Sequence, residues 1–135
     1  GTRLADAVRA ADQLEDDIGP VTVADARFAK PMDTDLLDRL AQNHARLLIV
    51  EENSPGGFSA HVLQYLANAG HLDGGLTVRC LSLPDRLIDH DSQAGQLALA
   101  GIDADGIAET LRVMNGGTES KSTTKAGPAA SKTPA

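Results

Sequence analysis

Glu51-Glu52-Asn53 followed by Ser54-Pro55-Gly56-Gly57-Phe58 is the stretch of this 135-residue chain whose residue types come closest to chemistry. Two adjacent carboxylates at the end of an apolar run repel each other, which suits an acid–base residue or an interface. The competing reading is favoured by spacing: negative charge placed at the start of the following helix complements its dipole. The Gly-Gly turn opens a helix after a strand, so its amides suit an anion. The neighbouring Glu51 and Glu52 oppose a phosphate there, and turn and capping geometry is the favoured reading. A second cluster, Asp85, Asp89, His90 and Asp91, follows a later apolar run. Its oxygen and imidazole groups suit a divalent ion, yet neighbours in an extended segment point to different sides. A helix cap within a solvated loop is the favoured reading here too.

The four histidines, His44, His61, His71 and His90, are dispersed, and none stands at a spacing that announces a triad. Cys80 is the only cysteine and sits in an apolar run, which reads as an inert core thiol. A lone cysteine excludes an intrachain disulfide and fits a reducing cytoplasm. No phosphate-binding G-x-x-x-x-G-K-S/T loop and no G-x-G-x-x-G fingerprint occurs.

Charge and composition narrow the partners. The net charge is −7, and the basic excess of Lys121, Lys125 and Lys132 over Glu119 makes the rest of the chain more acidic still. Such a body repels phosphate backbones, so no nucleic-acid partner is expected. Aromatic residues are confined to Phe28, Phe58 and Tyr65, too few for stacking on bases. No apolar run approaches the ~20 residues of a membrane span, so no membrane partner is expected either.

The elements that must position these residues alternate. Residues 2–18 read as an amphipathic helix with Leu4, Ala7, Val8, Ala11 and Leu14 inward, stopped by Gly19-Pro20. Val21 to Asp25 reads as a short β-branched strand. Asp33 or Thr34 caps a helix with Leu36, Leu37 and Leu40 inward. Leu47 to Val50 is a continuous apolar run that calls for cover on both faces. A helix spans 58–69, with Phe58, Val62, Leu63 and Leu66 inward, and Leu76 to Leu83 forms a third strand. A helix over 92–99 and another capped by Asp103, through Ile107, Leu111 and Met114, complete a domain over 1–114. Residues 115–135 are expected to be a disordered tail. The pattern predicts an α/β fold: a three-layer, open, mostly parallel sheet with helices on both faces. An α/β unit normally feeds its first helix from a strand, and here a helix follows Gly1 directly. The first strand is therefore expected to be missing, with the sequence beginning inside a larger protein.

Five stretches in order carry a family resemblance. They are Gly1-Thr2 with its alanine-rich helix, V-T-V-A-D-A-R-F-A-K-P-M-D at 21–33, L-L-I-V-E-E-N-S-P-G-G-F at 47–58, L-P-D-R-L-I-D-H at 83–90 and A-G-I-D-A-D-G-I at 100–107. Together they resemble the C-terminal domain of the 1-deoxy-D-xylulose-5-phosphate synthases, of the transketolase superfamily. The beta subunits of pyruvate-type dehydrogenases share the Glu-Glu and Gly-Gly elements but fit the segments at 25–31 and 83–90 less well. An independent small-ligand or regulatory module on the same fold is the other alternative. The resemblance implies a parent enzyme that condenses pyruvate with glyceraldehyde 3-phosphate, releasing carbon dioxide, for isoprenoid and thiamine precursors. It implies thiamine diphosphate and magnesium held by the parent's other domains, with no catalytic, cofactor or metal residue in this chain. The implied partners are the catalytic domains of the same enzyme and a homodimer mate. Residues matching the signature loops, and assigned to domain packing or an interface, are Asp25, Arg27, Phe28, Lys30, Pro31, Glu51, Glu52, Asn53, Gly56, Gly57, Pro84, Asp85 and His90.

Overall fold

The computed structural model describes residues 1–84 and 92–116. In chain order the elements are α1 (Leu4–Ile18), α2 (Thr34–Asn43), β1 (Arg46–Val50), α3 (Phe58–Asn68), a 3-10 turn (His71–Gly74), β2 (Thr77–Leu81), α4 (Gln93–Leu99) and α5 (Ala104–Met114). β1 and β2 pair in parallel, Arg46 opposite Thr77 and Val50 opposite Leu81. A parallel pair needs a crossover, and α3 with the 3-10 turn provides it.

β1 divides the core. Ile49 and Leu47 face α2 and α3, where Leu37, Val62 and Leu66 form one buried cluster. Leu48 and Val50 face α1 and α5, where Ala10, Leu14, Ile107 and Ala108 form the other. Side chains alternate across a strand, so a run that is apolar at every position must be covered twice. The expected three layers, with helices on both faces, are present. Asp33 caps α2 by accepting from the Leu36 amide at 2.9 Å, and Asp103 caps α5 by accepting from Gly106 at 2.9 Å. Gly106 is needed for a different reason: a Cβ there would meet the backbone of Gly101 at 2.4 Å. The tight α4–α5 corner that buries Ile102 completely depends on that missing atom.

Three expectations change. The exposure of Val21 to Asp25 alternates residue by residue as a strand's does, but the segment joins no ladder. The segment and β1 line one broad groove, and the described sheet has two strands. The inward face of α1 is also rotated from the expected one. Ala10 and Leu14 are buried, whereas Leu4 and Val8 are exposed. Leu4 lines the same groove, so part of its apolar cover is not supplied by the described residues. Third, Cys80 is exposed and not a core thiol. Its pKa is nevertheless raised, chiefly by partial burial and also by the Glu51 charge, against a lowering hydrogen bond with Ser59. A raised pKa keeps the thiol protonated and a poor nucleophile. Residues 117–135, where the expected tail falls, lie outside the described residues.

Truncating Leu66, which has no exposed surface, removes contacts on both sides of the α3 face. Leu66→Ala should lower unfolding stability by about 2–5 kcal/mol. Leu99→Ala, on a side chain 67% exposed, should change it by less than ~0.5 kcal/mol. Urea unfolding followed by circular dichroism checks both.

Candidate functional site

The carboxyl ends of parallel strands are where open α/β sheets place their functional groups. At the end of β1 the chain turns through Glu51-Glu52-Asn53 into α3. Glu51 is 9% exposed. Its carboxylate accepts from the Phe58 amide at 2.7 Å, from the Ser59 amide at 3.1 Å and from the Ser59 hydroxyl. Amides at a helix start lack intrahelical acceptors, so one side chain from the strand end caps α3 from outside the helix. No side chain at Gly57, the residue before α3, does so. The carboxylate approaches so closely that a Cβ on Gly57 would lie 2.5 Å from Glu51 Oε2 and 2.7 Å from Asn53 Nδ2. Gly56, with φ of 98°, makes the turn itself. The charge-at-helix-start reading of this motif is the one the geometry supports.

Glu52 leaves in the other direction. Its Oε2 lies 3.3 Å from Arg3 Nε, an ion pair whose geometry falls short of a hydrogen bond. Arg3 Nη1 also pairs with Asp6 at 2.9 Å, and Asp6 with Arg9. Asn53 accepts from the Leu83 amide through its backbone carbonyl at 2.9 Å. The structure therefore brings Glu51, Glu52, Asn53, Gly56 and Gly57 together with the segment that leads to Pro84.

The other signature loop stands across the groove. Asp25 accepts from the Gly1 ammonium and, at 3.2 Å, from the Arg27 amide. Arg27 has φ of 57° and the Lys30–Pro31 peptide is cis. Phe28 is 67% exposed, and Arg27, Lys30 and Pro31 are exposed beside it. The start of α1 touches both: Gly1 reaches Asp25 of this loop and Arg3 reaches Glu52 of the Glu51 turn. Asp85 and His90 lie outside the described residues, as do Asp89 and Asp91.

Two polar sets escaped sequence reasoning. Asp38 on α2 accepts from the Tyr65 hydroxyl at 2.7 Å and from His71 Nε2 at 2.8 Å. His44 Nδ1 lies 3.0 Å from the Leu40 carbonyl and its Nε2 lies 2.9 Å from Thr22 Oγ1. A carbonyl only accepts, so Nδ1 carries the proton and Nε2 accepts from Thr22. Each set joins residues 22 or more apart, so no local spacing reveals it. The second set puts the Thr22 hydroxyl on His44, with only the Leu40 carbonyl orienting the ring; in the first, the Tyr65 hydroxyl is committed to Asp38, and its pKa is raised, mainly by that bond.

These residues do not fit a thiamine diphosphate–metal site. The α3 amides that would hold a phosphate already serve Glu51, and Glu51 and Glu52 present negative charge there. Among the described residues no three metal-binding side chains converge. No described helix is long and apolar enough to cross a membrane.

A two-strand parallel unit covered by helices on both faces, with its signature turns at the strand ends, defines an α/β domain. The family model described as "Transketolase, C-terminal domain" matches residues 1–107. The chain belongs to that family and forms part of a transketolase-type enzyme.

Gly57→Ala should destabilise by about 1–3 kcal/mol, because the Glu51 cap must shift; Gly74→Ala, where a Cβ meets nothing within 4 Å, serves as the control. Chemical denaturation of both checks this. A second prediction concerns Asp38. The Tyr65 hydroxyl first, then His71, hold its carboxyl below the usual range. A depressed carboxyl pKa stabilises the fold above the unfolded carboxylate pKa, and that stabilisation is lost as pH falls through the folded value. Tyr65→Phe should therefore raise the Asp38 pKa seen in an NMR carboxyl titration. It should also lower the urea midpoint at neutral pH, with the deficit shrinking in acid.

Proposed function

We propose that the chain is the C-terminal domain of a 1-deoxy-D-xylulose-5-phosphate synthase and acts in domain packing and dimerisation. The parent would join pyruvate to glyceraldehyde 3-phosphate with loss of carbon dioxide, using thiamine diphosphate and magnesium held by its other domains. The observation that carries the packing role is the Glu51 turn, whose buried carboxylate is spent on α3 and leaves nothing for a substrate. The assignment to this synthase within the transketolase group rests on the segments at 21–33, 47–58 and 83–90. The exposed Arg27-Phe28 and Lys30-Pro31 pairs offer an apolar and cationic face for a neighbouring domain or a homodimer mate. A solvated Phe side chain gains free energy when such a neighbour covers it. The chain's acidic surface and its lack of base-stacking residues speak against nucleic acid.

Reading the gene 5′ of the Gly1 codon tests the assignment. Thiamine-binding domains of the synthase type support it, and those of a dehydrogenase beta subunit overturn it. At the protein level, the isolated 135-residue chain with thiamine diphosphate and magnesium should release no labelled carbon dioxide from pyruvate. The whole polypeptide should do so only when glyceraldehyde 3-phosphate is added.

A further inference from the structure

Thr22 and His44 both line the groove shared by β1 and the 21–25 segment. Thr22 Oγ1 lies 2.9 Å from His44 Nε2, within the reach at which a base takes a hydroxyl proton. The other ring nitrogen, Nδ1, lies 3.0 Å from the Leu40 carbonyl, and the His44 backbone N–H donates to that same oxygen at 3.1 Å. A carbonyl oxygen has two lone pairs, so it accepts both. His44 directly follows α2 with φ of −132° and ψ of 141°, and the end of that helix thereby holds its ring. Nδ1 keeps the proton, and the Nε2 lone pair is aimed at Thr22. Thr22 is exposed, between half-buried Val21 and Val23, so a reactant can approach its hydroxyl. A β-branched side chain is stiff at χ1, which keeps that oxygen in place. An open hydroxyl, a base in contact with it and an acceptor that orients the base are the parts of an activated nucleophile.

We propose that Thr22 is a nucleophile that takes an acyl group from activated esters, with His44 as its general base. Thr22 Oγ1 attacks the ester carbonyl carbon while its proton passes to His44 Nε2. The bond from that carbon to the leaving oxygen then breaks. The leaving oxygen keeps the electron pair and takes the proton from Nε2. His44 returns to its starting form, and Thr22 holds the acyl group as an alkyl ester. An alkyl ester is a far poorer acyl donor than an aryl ester, so the acyl-threonine accumulates, one group per chain. The groove sets the acyl class. Val21, Val23, Leu36 and Leu40 line it together with Thr22 and His44, and its volume of about 640 Å³ has room for a short alkyl chain. Apolar walls favour such a chain over a charged one. The transfer needs no thiamine diphosphate, so it stands or falls apart from the synthase assignment.

The test incubates the 135-residue chain with p-nitrophenyl butyrate at neutral pH and follows its peptides by mass spectrometry over time. Thr22 should gain a butyryl group about 100-fold or more faster than the exposed hydroxyl of Ser54 in the same molecules. His44→Gln should slow labelling of Thr22 by a similar factor and leave labelling of the exposed Lys30 amine unchanged. Thr22→Ser should keep the label, and Thr22→Val should lose it. Circular dichroism reports whether each variant folds. If His44→Gln does not fold, the ratio of Thr22 to Ser54 labelling in the native chain decides. Equal labelling of Thr22 and Ser54 overturns the proposal. So does a folded His44→Gln chain that labels Thr22 at the native rate, or a label that stays on the same peptide in Thr22→Val.

Discussion

Everything in this domain hangs on β1 being buried from both sides. Five residues separate two helical layers, and each layer has its own cluster: Leu37, Val62 and Leu66 below, Ala10, Leu14, Ile107 and Ala108 above. The alternation Leu47, Leu48, Ile49, Val50 sends successive side chains to the two clusters in turn. The strand end then sets the position of the Glu51 carboxylate, and that carboxylate sets where α3 begins.

The polar chemistry of the strand end is structural by the same logic. A buried carboxylate is costly unless hydrogen bonds satisfy it. Glu51 receives three, two of them from amides that would otherwise lack acceptors. Gly57 is glycine because the carboxylate occupies the space of a side chain. Glu52, directed away, ties the start of α1 to the strand end through Arg3. A pair of adjacent acids that looks catalytic in the sequence is divided by the strand's alternation into a helix cap and an ion pair.

Much of this was legible before the structure. Continuous apolar character at 47–50 called for two-sided cover, and Asp33, Asp103 and the Gly-Gly turn marked helix starts that are observed. The Val21–Asp25 strand was not, because β-branched propensity reports a fit to a pleated surface and not the presence of a partner. Of the residues expected inward on α1, Leu14 is buried, while Leu4 and Val8 are exposed and Ala10 is buried, and Leu4 and Ala7 line the groove. Cys80, opposite Ile49 and on the same face as Val78, stands on the α3 side of β2 where the described helices leave it exposed. The Asp38–Tyr65–His71 set joins α2 to the far end of α3, a meeting that only packing creates.

The central claim is that the strand-end turn supports the enzyme and does not take part in its reaction. The most direct measurement is steady-state kinetics of the whole enzyme carrying Glu51→Gln, together with its thermal inactivation rate. Faster inactivation with kcat/KM per folded enzyme unchanged is the predicted result. A fall in kcat at unchanged stability would contradict it and place Glu51 in the chemistry.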